Sequence, residues 1–424
     1  MATSTEQKHF SGLHLFCGIF LIAVGFASIA TTRLDIAIIL PEVMKGIGVA
    51  SISVGGLIST FTVLGTGIAE PFFGRLSDLI SRRLALALGL GLFSLFSLLT
   101  AVATNLPSML VVRILLGMAQ GMFIPAYFAF IGGAFKRRGL VLGSLAGLFT
   151  VGSAINPLTT RGIFLSAGKA WQAPFIVYGI FGLVLALVVF GFGAGGLYER
   201  GRTHASAATV VSEAQAVAEG KTGIFSRSML LLMAVMVCWG LTQYGYLGLF
   251  VTFLRTHQHF TLGDAAKVAS IASWTSFVFS FFGGWLSDHI GRRKALLIFG
   301  VVGLVVSYPL FTVTTTFGTA LVLAAVFQAA NGTFYPLGVA YSQDMARAQH
   351  LGGHSGAVSG IGHLMAGVSG LIAGSIAAAA GFGAIGIEFV IGSAIMVICL
   401  YFTVDPVQKA KRTARELALH PQVA

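Results

Sequence analysis

Charge is what this sequence has least of. Charged residues make up 9% of its 424 positions, against about a quarter in soluble domains, so most of the chain cannot face water. Acidic residues are the scarcest, 14 against 26 Lys and Arg. Cysteine is nearly absent, and Cys17, Cys238 and Cys399 all fall in apolar runs, which leaves no disulfide framework and no metal site. No Gly-x-x-x-x-Gly-Lys-Ser/Thr loop is present, which argues against ATP-driven pumping and against an enzyme. No cofactor is called for.

Apolar residues fill the space, at 56% of the chain. A membrane-crossing helix needs about 20 mostly apolar residues. Runs that fit lie near 13–39, 51–73, 84–104, 108–133, 140–162 and 172–195, then near 228–254, 266–286, 295–313, 317–341, 355–380 and 384–404. The runs are continuous rather than alternating, which favours helices over the strands of a membrane barrel. The first run is long enough to remain a helix rather than act as a cleaved leader. The 55 glycines suit helices that approach closely in lipid. The expected fold is therefore an all-α membrane protein of twelve transmembrane helices in two six-helix bundles, 1–195 and 228–404, with a linker at 196–227 and a tail at 405–424.

The net charge of +12 would suggest nucleic acid in a soluble chain. Here its placement suggests topology. With the N-terminus in the cytoplasm, most Lys and Arg fall on the inner side, including Arg75, Arg82, Arg83, Arg292, Arg293 and Lys294, as the positive-inside rule requires. Both termini are then cytoplasmic, in a multi-pass protein of the cell's inner membrane. Residues 205–219 read either as a solvated linker or as an amphipathic surface helix.

One short pattern occurs twice: Gly74-Arg-Leu-Ser-Asp78-Leu-Ile-Ser-Arg82-Arg83 and Gly284-Trp-Leu-Ser-Asp288-His-Ile-Gly-Arg292-Arg293. The copies lie 210 residues apart, half of the chain, which marks a duplicated unit. On a short cytoplasmic loop, each glycine would admit a neighbouring helix. Each aspartate would cap the next helix or accept from Arg82 or Arg292, and the arginine pairs would anchor to anionic head groups. The two copies would make a cytoplasmic gate.

The pattern resembles the signature that the major facilitator superfamily carries after its second and eighth helices. Arg113-Ile-Leu-Leu-Gly117-Met-Ala-Gln120-Gly121 resembles that family's fourth-helix motif, and Gly168-Lys-Ala-Trp171-Gln172-Ala-Pro-Phe175 the start of its sixth helix, with Gln172 in place of Arg. The resemblance implies a central cavity and alternating access by rocking of the halves, resembling the organic anion:proton symporter branches. The antiporter pattern Gly-Pro-x-x-Gly-Gly is missing from the fifth helix, which weakens an efflux reading.

An ionisable group at mid-membrane costs on the order of 2.5–3.5 kcal/mol and is a functional candidate by default. Arg33 and Asp35 lie in the first helix, near its outer end or at mid-depth if that helix is tilted. Arg33 and Arg113 are candidates for binding an anion. Asp35 is the first candidate proton carrier and a candidate partner of Arg113. Glu70, one to two turns before the first motif, would face the cytoplasmic vestibule or cap the motif network, and His363 is a further proton candidate. Arg161 and Arg255 fall near outer helix ends, and Glu388 near the outer interface. Polar and aromatic side chains at membrane depth face the bundle rather than lipid: Gln120, Tyr127, Trp239, Gln243, Tyr244, Tyr246, Trp274, Gln328, Asn331 and Tyr335. They form a candidate binding wall, with helix–helix glue as the plainer alternative.

The reading is a secondary transporter that imports a small organic anion, a mono- or dicarboxylate with aromatic ones included, together with protons, acting as a monomer in the bilayer. Proton-coupled drug or metabolite efflux and a neutral-solute facilitator are the alternatives.

Overall fold

The computed structural model describes residues 12–49, 52–134, 138–193, 196–199, 223–347 and 350–404. The middle of the linker, including 205–219, and the tail from 405 lie outside the described residues, as do the side chains of Arg33 and Asp35.

The described residues are almost entirely helical. The first half comprises α1 (Gly12–Ile38), the short α2 (Leu40–Gly46), α3 (Ile52–Leu79), α4 (Arg82–Thr100), α5 (Leu106–Ala134), α6 (Arg138–Ser166) and α7 (Ala173–Phe192). The second comprises α8 (Arg227–Thr256), α9 (Leu262–Ile290), α10 (Arg292–Thr312), α11 (Phe317–Met345), α12 (Leu351–Ala380) and α13 (Phe382–Phe402). α2 was not expected; Pro41 begins it, and Val43 and Ile47 pack into the far-end core beside Trp171. The remaining twelve long helices are the expected two sets of six. Ten described helices are long and apolar enough to cross a membrane. The other two long helices, α6 and α9, pack on each other between the halves.

Most of the repeated motif is helical, and the turn within it is only Ile80 and Ser81 in the first copy and Gly291 in the second. Gly74 to Asp78 form the last turns of α3, and Gly284 to Asp288 lie in the last turns of α9. The following helix in the first half is capped by Ser81, whose Oγ accepts from Leu84 N at 3.1 Å. Asp78 therefore does not cap its own neighbour. The second arginine of each motif turns back on its own half. Arg83 Nε donates to Phe190 O at 2.6 Å and Arg293 Nε to Leu400 O at 3.0 Å, each beside the aromatic ring of Phe190 or Tyr401. Each thus staples the motif to the end of the sixth long helix of its half. These contacts are intramolecular.

Two antiparallel helix pairs join the halves, α3 with α12 and α6 with α9. Glycine makes both possible. A Cβ on Gly356 would run into Glu70 O and Gly74 Cα, and one on Gly143 into Ser280 O and Gly284 Cα. Backbone meets backbone at both joints, which only glycine permits.

Candidate functional site

The motif end of the molecule is closed by its two aspartates, each acting on the opposite half. Asp78 Oδ1 accepts from Gly352 N at 2.9 Å and Oδ2 from Gly353 N at 2.8 Å. Those are orphan amides of the first turn of α12, which a carboxylate satisfies while meeting the positive end of the helix dipole. Asp288 Oδ2 accepts from Leu140 N at 2.8 Å, in the first turn of α6. Its Oδ1 takes Arg292 Nη1 at 2.5 Å, and Arg292 Nε reaches Asp344 Oδ2 at 3.0 Å. Gln343 adds a strap that sequence reasoning missed: its Nε2 donates to Phe128 O at 2.8 Å, on α5, and to Ser355 Oγ at 2.9 Å.

Further into the molecule, the α3–α12 joint holds a polar cluster. Gly67 lies against the backbone of His363 and Leu364, and Gly360 against Pro71. This close approach sets Glu70, on the first half, beside two side chains of the second. Glu70 is fully buried. Its Oε2 accepts from Ser359 Oγ at 2.7 Å and meets His363 Nδ1 at 2.9 Å. An ionised carboxylate persists at such a depth only when paired and hydrogen-bonded, and with Glu70 ionised Nδ1 must carry the hydrogen. Glu70 Oε1 has no partner among the described residues. Neither expectation for Glu70 holds: it lies neither in a vestibule nor in the motif network. Its pairing with His363 was not foreseen, and Ser359 was missed altogether. The spacing of Ser359 and His363, four residues apart and so on one helix face, was the available signal.

An aromatic wall encloses His363 on its own half. Tyr335 OH lies 2.8 Å from Ser359 Oγ. The Tyr335 ring stacks on Trp239 with centroids 5.1 Å apart and meets His363 edge-on at 5.5 Å. Trp239 and Tyr244 also meet His363 edge-on, and Phe128 of the first half closes on Tyr335 at 5.7 Å. Trp239 Nε1 donates to Asn331 O, fixing the indole.

The other wall residues divide. Asn331 is helix glue: its Oδ1 accepts from Thr242 and its Nδ2 donates to Phe327 O, tying α8 to α11. Tyr246 does not share a wall with Gln243. It stacks on Phe250 and meets Phe327 at a tilt in the apolar core of the second half, because an aromatic flanked by phenylalanines buries more there. Tyr127 is likewise packed between Phe26 and Phe123. Gln243 and Gln328 are buried, and the Oε1 of each is without a partner among the described residues. Gln120 Oε1 accepts from Thr66 Oγ1 at 3.2 Å. Trp274 is exposed and meets Phe277 edge-on. Arg113 is fully buried, its guanidinium 5.7 Å from the Phe175 ring centroid. Arg161 and Arg255 are exposed near the ends of α6 and α8, and Glu388 lies in the second turn of α13. Among the described residues no cluster of His, Cys, Asp and Glu could hold a metal.

A family model described as Major Facilitator Superfamily matches residues 15–273 and 259–423. The "Probable L-galactonate transporter" of Escherichia coli (strain K12) is 31% identical over 147 residues, 34% of this chain and 32% of that protein. The chain thus spans about a third of that relative's length. "Multidrug resistance protein 2" of Bacillus subtilis (strain 168) is 25% identical over 348 residues, 81% of this chain and 84% of that protein. Among solved structures, the human organic anion transporter MFSD10 has a TM-score of 0.69 at 14% identity, covering 92% of this chain and 99% of that one. FucP in its outward conformation also has a TM-score of 0.69, at 16% identity with the same coverage. At these identities the likeness to the two structures is one of fold.

Proposed function

The chain belongs to the Major Facilitator Superfamily, and on that premise we propose that it imports a small organic anion, a mono- or dicarboxylate, with a proton that binds at Glu70. That it is a multi-pass membrane transporter and not an enzyme follows from the family itself. The finer reading rests on one observation. A buried carboxylate of one half is held by a histidine and a serine of the other. Such a pair ties the halves together while Glu70 is ionised. A proton on Glu70 removes the charge that His363 answers, which lowers the cost of separating the halves.

The basic character of the motif end supports assigning it to the cytoplasm. With that end closed, the site would be reached from outside, where anion and proton enter together. The names of the galactonate transporter and of MFSD10 are compatible with an anionic cargo. Asp35 and Arg33 stay candidates for a second proton carrier and an anion contact.

The experiment is uptake of radiolabelled carboxylates into proteoliposomes under an imposed pH gradient. Glu70→Gln is expected to abolish gradient-driven accumulation while leaving exchange intact. Undiminished accumulation by that variant would overturn the assignment. Proton-coupled efflux is the second reading, because the similarity to Multidrug resistance protein 2 runs over most of the chain. It requires that drug-sensitised cells expressing the chain gain resistance.

A further inference from the structure

Tyr335, Ser359 and Glu70 form an unbroken line of hydrogen-bonding oxygens across the joint between the halves. The spacings are 2.8 Å from Tyr335 OH to Ser359 Oγ and 2.7 Å from Ser359 Oγ to Glu70 Oε2. Ser359 has one hydrogen to give. An ionised carboxylate only accepts, so that hydrogen goes to Glu70. The bond between the two hydroxyls is then made by Tyr335, whose hydrogen is committed to Ser359. The chain of donors runs from the aromatic wall to the carboxylate.

A proton arriving on Glu70 reverses this order. On Oε1 the new hydrogen would be a buried donor with no acceptor among the described residues. On Oε2 it finds Ser359 Oγ at hydrogen-bond distance. The carboxylic acid then donates to Ser359, and Ser359 turns its own hydrogen to the Tyr335 oxygen. The Tyr335 hydrogen then no longer goes to Ser359. Each change is a rotation about one C–O bond, and no heavy atom has to move.

Building on the reading of Glu70 as the proton site, we propose that Tyr335 and Ser359 are positioning residues that convert protonation of Glu70 into a hydrogen-bond donor for the substrate. Tyr335 gives its hydrogen to Ser359 when Glu70 is ionised and to the anion's oxygen when Glu70 is neutral. Tyr335 is suited to this: it is half-buried, part of the aromatic wall, and its ring is held by Trp239 and Phe128. Anion affinity then rises with proton occupancy, and cargo and proton bind as a couple. Among the described residues, the groups facing Glu70 are these. α12 contributes His363 and Ser359, and α11 contributes Tyr335 through Ser359. α5 brings the uncharged Gln120 and Gly121 to this stretch of α3. On α8, Tyr244 meets the His363 ring edge-on.

The test is an infrared pH-difference titration of the full-length protein in lipid, which needs no cargo. A carboxylic-acid band lost in Glu70→Gln marks protonation of Glu70. A tyrosine C–O band is expected to shift with the same midpoint, and to stay still in Glu70→Gln, Tyr335→Phe and Ser359→Ala. In Ser359→Ala the Glu70 midpoint moves to higher pH, because a donor to the ionised form is gone. Tyr335→Phe keeps the stacked ring, so a packing role alone would leave its Glu70 midpoint unmoved. The relay predicts that this midpoint also moves up. A Glu70 band that titrates without any tyrosine change overturns the relay and leaves the proton site standing. A Glu70 band that never titrates overturns both.

Discussion

The two joints between the halves are built alike up to the charged groups, and there they part. A step of 210 residues carries Asp78 to Asp288 and Gly74 to Gly284; a step of 213 carries Leu140 to Gly353 and Gly143 to Gly356. The contacts obey the same steps: an aspartate on the first turn of the opposite helix, and a glycine on the opposite backbone. The same steps carry Glu70 to Ser280, Ala146 to Ser359 and Thr150 to His363. Ser280 donates to Gly332 O within its own half. One joint therefore carries a carboxylate–histidine pair where its counterpart has only neutral residues. Duplication supplied two equal hinges, and one of them was given a charge to respond to.

That difference can be broken outright. Glu70→Gln is expected to abolish gradient-driven accumulation, whereas Ser280→Ala, at the equivalent place, keeps it within about twofold. Adding Ser280→Glu to Glu70→Gln should not restore accumulation, since the sequence has Thr150 at the position corresponding to His363. A restored gradient response would show that the joints are interchangeable. The shared scaffold can be broken next. Gly356→Ala and Gly143→Ala each press a methyl on backbone that cannot yield, costing about 1–3 kcal/mol. Both should favour opening of the motif end by a comparable factor, read as labelling of a cysteine introduced there.

The latches come third. Asp78→Asn weakens two bonds to backbone amides, about 0.5–2 kcal/mol for a helix cap. Asp288→Asn weakens a cap and also removes one of the two carboxylates on Arg292, which is 7% exposed. Asp78 in turn faces the charge of Arg82, so both variants should open the motif end by a comparable factor in the same labelling assay. The smallest effect belongs to Tyr246→Phe. Its hydroxyl is buried with no partner among the described residues, so removing it should leave transport unchanged and the melting temperature equal or slightly raised.

Helices, halves and the motif were legible because each rests on local pattern: long apolar runs, one interruption and a repeat. Glu70 and His363 were visible singly, as charge-bearing groups in apolar runs. Their partnership was not, since 293 residues separate them and no local period links two helices of different halves. The departure from the repeat held the missing clue, a glutamate where the second copy has serine. The aromatic wall was read too broadly for a similar reason. Tyr246 and Trp239 look alike along α8, and only the facing helices decide that one packs against phenylalanines and the other against Tyr335.

The glycine joints bear on how often the molecule can cycle. Side chains that interlock must be frozen at each closing, and long ones forfeit up to about 2 kcal/mol apiece in rotamer freedom. At Gly74, Gly356, Gly143 and Gly284 the faces that meet are main chain already fixed by their own helices. Closing there orders nothing new, and opening releases nothing. The joint can part and rejoin at nearly level entropy, leaving the choice between states to the few polar groups set along it.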